Sequence, residues 1–168
     1  SGSSYTDEYL EFLRALDRHK VEYLLIGAYA VMIHTKTPRA TKDMDTWIGQ
    51  TEENAVKLAA ALKDFGGLEV SGETILKKGQ RIEIKSEAFK IEIWTSQEIL
   101  GFEEAWKRKI TDTLEDFSIN VVSRDDLIKL KTMNHQAADF LAVCVRARIN
   151  IVISGSSGSG KSTMLNTI

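Results

Sequence analysis

Apolar positions recur with helical spacing from the first ordered-looking stretch, "TDEYLEFLRALDRHK", where Tyr9, Phe12, Leu13 and Leu16 fall on one face. Thr6 can cap this helix, and Asp7 and Glu8 suit the positive end of its dipole. "VEYLLIG" (21–27) is a short apolar run ending in glycine and predicts a buried strand. "AYAVMIHT" has helical character, and "KTPRATK" predicts a loop around the single proline, Pro38. "DMDTWIG" (43–49) predicts a second strand. Thr51, Glu52 and Glu53 open a helix through "NAVKLAAALKDF" that Gly66 and Gly67 close.

The period then changes to two. "QRIEIK" (80–85) and "FKIEIW" (89–94) alternate around "SEA" and predict an antiparallel hairpin. "GFEEAWKRK" predicts a short helix, "FSINVV" (117–122) a strand, and Ser123 a cap for "RDDLIKLK". "AADFLAVCVRAR" (137–148) predicts a helix with Phe140, Leu141, Val143, Cys144 and Ala147 on its apolar side, and "INIVIS" (149–154) a last strand. Together these predict an α/β fold: a mixed sheet with flanking helices.

Composition narrows the picture. A chain of 168 residues, 43% hydrophobic, can bury one ordinary core and a small appendage. Lysine and arginine number 22 against 24 acidic residues, a net charge of -2, which excludes a broadly basic nucleic-acid-binding surface. The single cysteine, Cys144, reads as a small buried apolar residue and suggests a reducing compartment. The opening "SGSS" reads as a tag remnant, residues 1–4. No apolar run approaches the ~20 residues of a membrane span and no signal peptide is visible, so the expectation is a soluble, cytoplasmic protein without a membrane partner.

Candidate chemistry begins with acids. Asp43 and Asp45 lie two apart on a strand and share one face of the sheet. In "KIEIW", Lys90, Glu92 and Trp94 point one way and Ile91 and Ile93 the other. If these strands are neighbours, three carboxylates converge, and hard oxygen ligands suit Mg²⁺. Alone, an alternating D-x-D is more often the wet face of a half-buried strand.

The stretch "YLLIGAYAVMIHTKTPRATKDMDTWI" resembles minimal bacterial nucleotidyltransferases of the DNA polymerase β superfamily, of the abortive-infection toxin–antitoxin type. The resemblance continues through "ENAVKLAAALKDFGG", "FKIEIWTS", "GFEEAW" and "DLIKLK", over about 7–131. It implies a nucleotidyltransferase-type sheet and transfer of a nucleoside monophosphate from an NTP to a hydroxyl. It places Gly27 and Ala28 against the triphosphate, and Asp43, Asp45 and Glu92 as catalytic metal ligands for Mg²⁺. The third carboxylate is commonly aspartate in that family. Arg39 and Lys131 match basic positions that contact phosphate, and each reads equally well as a surface charge. A cognate toxin or antitoxin protein, or a tRNA acceptor, are the partners the family suggests. His34 reads as a packing residue, while His19 and His135 show no convincing partners.

After Lys131 the family pattern is lost, and a different motif follows. Gly155, Gly160, Lys161 and Ser162, with Gly158 inside the loop, satisfy G-x-x-x-x-G-K-[ST] between a predicted strand and a helix start. Backbone N–H groups there would cradle phosphates, Lys161 would reach the β and γ oxygens, and Ser162 would hold Mg²⁺. "FLAVCVRARINIVISGSSGSGKSTMLN" resembles the segment entering the phosphate loop of type II and type IV secretion ATPases, over about 137–168. The acidic strand that positions Mg²⁺ and water in those ATPases has no counterpart in the sequence, so weak phosphate or ATP binding without hydrolysis is expected of this loop.

The expectation is thus a nucleotidyltransferase-like domain at 5–136 and a partial P-loop segment at 137–168. A P-loop NTP-binding protein, or a catalytically silent chimeric or designed scaffold, are the alternatives.

Overall fold

A computed structural model describes residues 7–38 and 40–130. The elements run α1 (Asp7–Arg18), β1 (Tyr23–Ile26), α2 (Gly27–Thr35), β2 (Asp43–Ile48), α3 (Glu52–Gly66) and α4 (Gly72–Leu76). They continue with β3 (Arg81–Lys85), β4 (Lys90–Trp94), α5 (Phe102–Lys107), β5 (Ile110–Leu114), β6 (Phe117–Val121) and α6 (Arg124–Leu130). The six strands form one mixed sheet in the order β3-β4-β2-β1-β6-β5. The α/β mixed sheet is as the periodicity predicts, and β3 and β4 form the expected antiparallel hairpin. The helix, strand and loop predicted at 137–162 lie outside the described residues, as do Arg39, Lys131 and His135.

Register gives the sheet two unlike faces. Met44, Thr46 and Ile48 of β2 and Ile91 and Ile93 of β4 are buried on one of them. Helix α1 covers this face: the Arg14 guanidinium sits 5.1 Å over the Phe117 ring of β6. Phe12 of α1 and Phe65 of α3 meet edge to face at 5.5 Å, so α3 is held beside α1. The opposite face carries Asp43, Asp45 and Trp47 next to Lys90, Glu92 and Trp94. At its far end α5 closes over it, with Phe102 edge-on to Trp47 at 5.3 Å and Trp106 stacked on Phe102 at 5.6 Å. Gly49 makes this closure possible, because a Cβ there would stand 2.9 Å from Phe102 Cε1.

Helix caps behave as the sequence suggests. The Thr51 side chain accepts from the Asn54 N–H, Gly67 takes the left-handed conformation after α3, and the Ser123 hydroxyl accepts from the Asp126 N–H. Asn54 does more than its place in a capped first turn requires. It is 1% exposed. Its Oδ1 accepts from Glu22 N at 2.7 Å, while Nδ2 donates to Glu22 O at 2.9 Å and Gly49 O at 2.8 Å. One amide thus ties α3 to the entry of β1 and the exit of β2. Asn54→Ala should cost about 2–4 kcal/mol, because it strands Glu22 N and Gly49 O and removes one of the two donors to Glu22 O, which keeps the Gly49 N–H. Urea unfolding with an unchanged slope would register the loss.

Two elements differ from the sequence expectation. Helix α4 and strand β5 both form within stretches whose alternation is weak. β5 is the outer strand next to β6, and Ile110 and Thr111 are exposed, so little burial contrast is written into its sequence. A third correction concerns His19, expected to lack a partner: its Nε2 lies 3.1 Å from Asp64 Oδ2. The two residues come from the end of α1 and the last turn of α3, a pairing that sequence spacing does not reveal. His34 docks α2 through a 2.7 Å hydrogen bond from Nε2 to the Val122 carbonyl, in keeping with a packing role.

Candidate functional site

β2 runs parallel to β4 with Asp45 opposite Glu92, Asp43 opposite Lys90 and Trp47 opposite Trp94. On its other side β2 is antiparallel to β1, which sets Ile26 opposite Asp45 and so brings Gly27 beneath the Asp45 side chain. A Cβ on Gly27 would lie 2.5 Å from Asp45 Oδ2. Gly27 also has a φ of +69°, a conformation that glycine adopts without penalty. This residue therefore meets two demands at once, a left-handed turn into α2 and close approach of a carboxylate.

Asp45 and Glu92 are register partners on adjacent strands, and their side chains share one face. Burial, and then the Glu92 carboxylate beside it, push the Asp45 carboxyl up to about 7 from 3.8. The Trp94 indole N–H donates to Asp45 Oδ1 at 3.3 Å and works weakly the other way. Glu92, 7% exposed, behaves oppositely. Burial opposes its charge, but the proton on Asp45 and the neighbouring cations hold its carboxyl below the usual glutamate value. Lys90 Nζ is 2.7 Å from Glu92 Oε1 and Arg81 Nη1 is 3.4 Å from the same oxygen. The pair therefore titrates as a unit that keeps one proton near neutral pH. Asp43 is exposed and stands on the same face one register step away, opposite Lys90.

The donor set suits a hard divalent cation. A half-buried and a buried carboxylate facing each other disfavour joint ionisation, and a Mg²⁺ ion between them would take the place of the proton on Asp45. Asp43 stands on the same face, exposed, and is not gathered with Asp45 and Glu92 into one group. Among the described residues no three His, Cys, Asp or Glu side chains are gathered in a ready-made metal-holding group, so Asp45 and Glu92 form the closed part of the arrangement.

Of the residues singled out from the sequence, the structure brings Gly27, Asp45 and Glu92 together and puts Asp43 on their face. Ala28 follows Gly27 in the first turn of α2, half-buried. Arg39, Lys131, Gly155, Gly158, Gly160, Lys161 and Ser162 lie outside the described residues. Sequence reading put Lys90 and Trp94 on the Glu92 face without giving them a role, and missed Arg81. The first two share the Glu92 face by simple alternation and were legible there. Arg81 depends on the hairpin register, which places it opposite Trp94 and 5.6 Å over that ring.

Comparison with known families adds a second nucleotide-related feature. Residues 113–168 match the family of type II/IV secretion system proteins. The matched span is about a third of the chain and contains the full Gly155–Ser162 phosphate-loop pattern. It starts well before residue 137, where the secretion-ATPase resemblance was expected to begin. It therefore takes in β6, which pairs in parallel with β1 at Leu25 and Val121, and α6. No curated protein matches the chain. No helix among the described residues is long and apolar enough to cross a membrane.

Proposed function

We propose that the sheet carrying Asp43, Asp45 and Glu92 is a Mg²⁺-dependent nucleotidyltransferase centre that moves an NMP from an NTP to a hydroxyl acceptor. The observation that carries this reading is the Asp45–Glu92 pair, formed across parallel β2 and β4 with Gly27 packed against Asp45. Asp43, Asp45 and Glu92 would hold Mg²⁺, which neutralises charge on the phosphates when bound. Gly27 and Ala28, at the turn into α2 beside Asp45, would face the triphosphate. Glu92, the ionised member of the pair, would take the proton of the acceptor hydroxyl as its oxygen attacks the α-phosphorus. The bond to the pyrophosphate leaving group breaks as the new P–O bond forms. Lys90 and Arg81, already at the Glu92 carboxylate, would offset phosphate charge gathered there.

A second reading places nucleotide at Gly155–Ser162, and the family match over 113–168 favours it. The two separate cleanly. With Mg²⁺ and an α-labelled NTP, label transfer and pyrophosphate release should disappear in Asp45→Asn and survive in Lys161→Ala. Turnover that releases inorganic phosphate, is lost in Lys161→Ala and persists in Asp45→Asn would replace the transferase reading with the P-loop one.

A further inference from the structure

The row that contains the Asp45–Glu92 pair runs one strand further. β3 and β4 set Glu83 opposite Glu92, just as β2 and β4 set Asp45 opposite it, so three acids cross the open face in one line. One register step to one side, Lys85 stands opposite Lys90. One step to the other, Arg81 stands opposite Trp94.

Two of these cations reach both glutamates. Lys90 Nζ lies 2.7 Å from Glu92 Oε1 and 3.5 Å from Glu83 Oε2. Arg81 Nη1 lies 3.4 Å from the same Glu92 oxygen, and its Nη2 lies 3.9 Å from the same Glu83 oxygen. Both therefore sit closer to Glu92, and both crowd a single one of its oxygens. Lys85 Nζ is 3.1 Å from Glu83 Oε1, which leaves Oε2 for the two shared cations. A metal ion at Glu92 would meet their positive charges at close range, where repulsion in a partly dry site is strong. The Lys90 and Arg81 side chains are 33% and 50% exposed, so they can turn toward Glu83 without leaving water.

We propose that Glu83 is a positioning residue for the metal centre, the alternate seat to which Lys90 and Arg81 withdraw when Mg²⁺ takes the Glu92 carboxylate. This rests on the reading of Asp43, Asp45 and Glu92 as a metal site, and it adds a carboxylate that never touches the metal. Without the ion, the two cations balance the charge of Glu92. With the ion, Glu83 receives them one strand away and keeps their charge off the metal.

Calorimetric titration of the full chain with Mg²⁺ alone reads this exchange. Glu83→Gln keeps the shape and removes the seat, and it should weaken Mg²⁺ binding about fivefold, the worth of a partly exposed ion pair. Lys90→Met should strengthen binding, because one competitor for Glu92 is gone. The deciding measurement is Glu83→Gln in the Lys90→Met background, where the loss should shrink to about twofold or less. A direct pull of the Glu83 charge on the ion would instead weaken binding equally in both backgrounds. In the parent, the Lys90 side-chain NMR signals should shift on saturation with Mg²⁺ and stay fixed in Asp45→Asn, a check that needs no change at Glu83. Absence of any Asp45-dependent Mg²⁺ binding would sink the transferase centre and the exchange together. Asp45-dependent binding that Glu83→Gln leaves unchanged, or weakens equally in both backgrounds, overturns the exchange alone.

Discussion

Asp45→Asn should reduce nucleotidyl transfer by about a thousandfold or more while making the metal-free protein more stable at pH 8. The loss follows from removing a charged oxygen that would hold Mg²⁺, an interaction worth several kcal/mol in the transition state. The gain follows from the same burial. Asp45 has its carboxyl raised from 3.8 to about 7, so the folded state disfavours the ionised form. The favourable contribution of this group is fully present below about pH 4 and is lost as pH rises through 7. At about 1.4 kcal/mol per unit the loss reaches up to about 4 kcal/mol, shared with Glu92 because the two titrate together. Thermal unfolding without metal should therefore weaken between pH 5 and pH 8 in the parent more than in the asparagine variant. Added Mg²⁺ should restore the parent at pH 8 and leave the variant nearly unchanged. Equal pH profiles for the two proteins would show that the Asp45 charge is not suppressed by the fold.

Gly27→Ala should reproduce much of the activity loss without changing any charged group. The added methyl would stand 2.5 Å from Asp45 Oδ2, so that carboxylate must swing away from Glu92 and from the Trp94 N–H. A displacement of this kind near the reacting atoms costs about a hundredfold in turnover. The left-handed φ adds strain of about 1–2 kcal/mol for alanine. A purified variant with a modestly lower melting temperature and a large fall in kcat is the expected result. Loss of stability with turnover unchanged would mean that Gly27 serves the turn alone.

How far the sequence exposes this arrangement depends on what each residue answers to. The amphipathic period of α1, the Thr51 and Ser123 caps and the alternation of β3 and β4 are local, and each was legible. The common face of Asp43 and Asp45 is local too. That Glu92 stands opposite Asp45, and not one step along, is a matter of parallel register, which no local spacing encodes. The resemblance to nucleotidyltransferases pointed to those positions, whereas the ion pairs at Glu92 and the indole bond to Asp45 came only from the structure. β5 escaped notice because an outer strand with exposed Ile110 and Thr111 presents neither period clearly. The helix α4 escaped because it is a single short turn inside a polar connection.

The parallel pairing of β2 with β4 also bears on how the chain folds. The β3–β4 and β5–β6 hairpins close over short loops and can form early, whereas Trp94 must find Asp45 across 49 positions of sequence. Closing that long loop brings the two acids face to face. The carboxylate centre is thus absent from every partly folded intermediate that holds only its hairpins. Any activity it supports becomes a direct readout of chains in which β2 and β4 have paired.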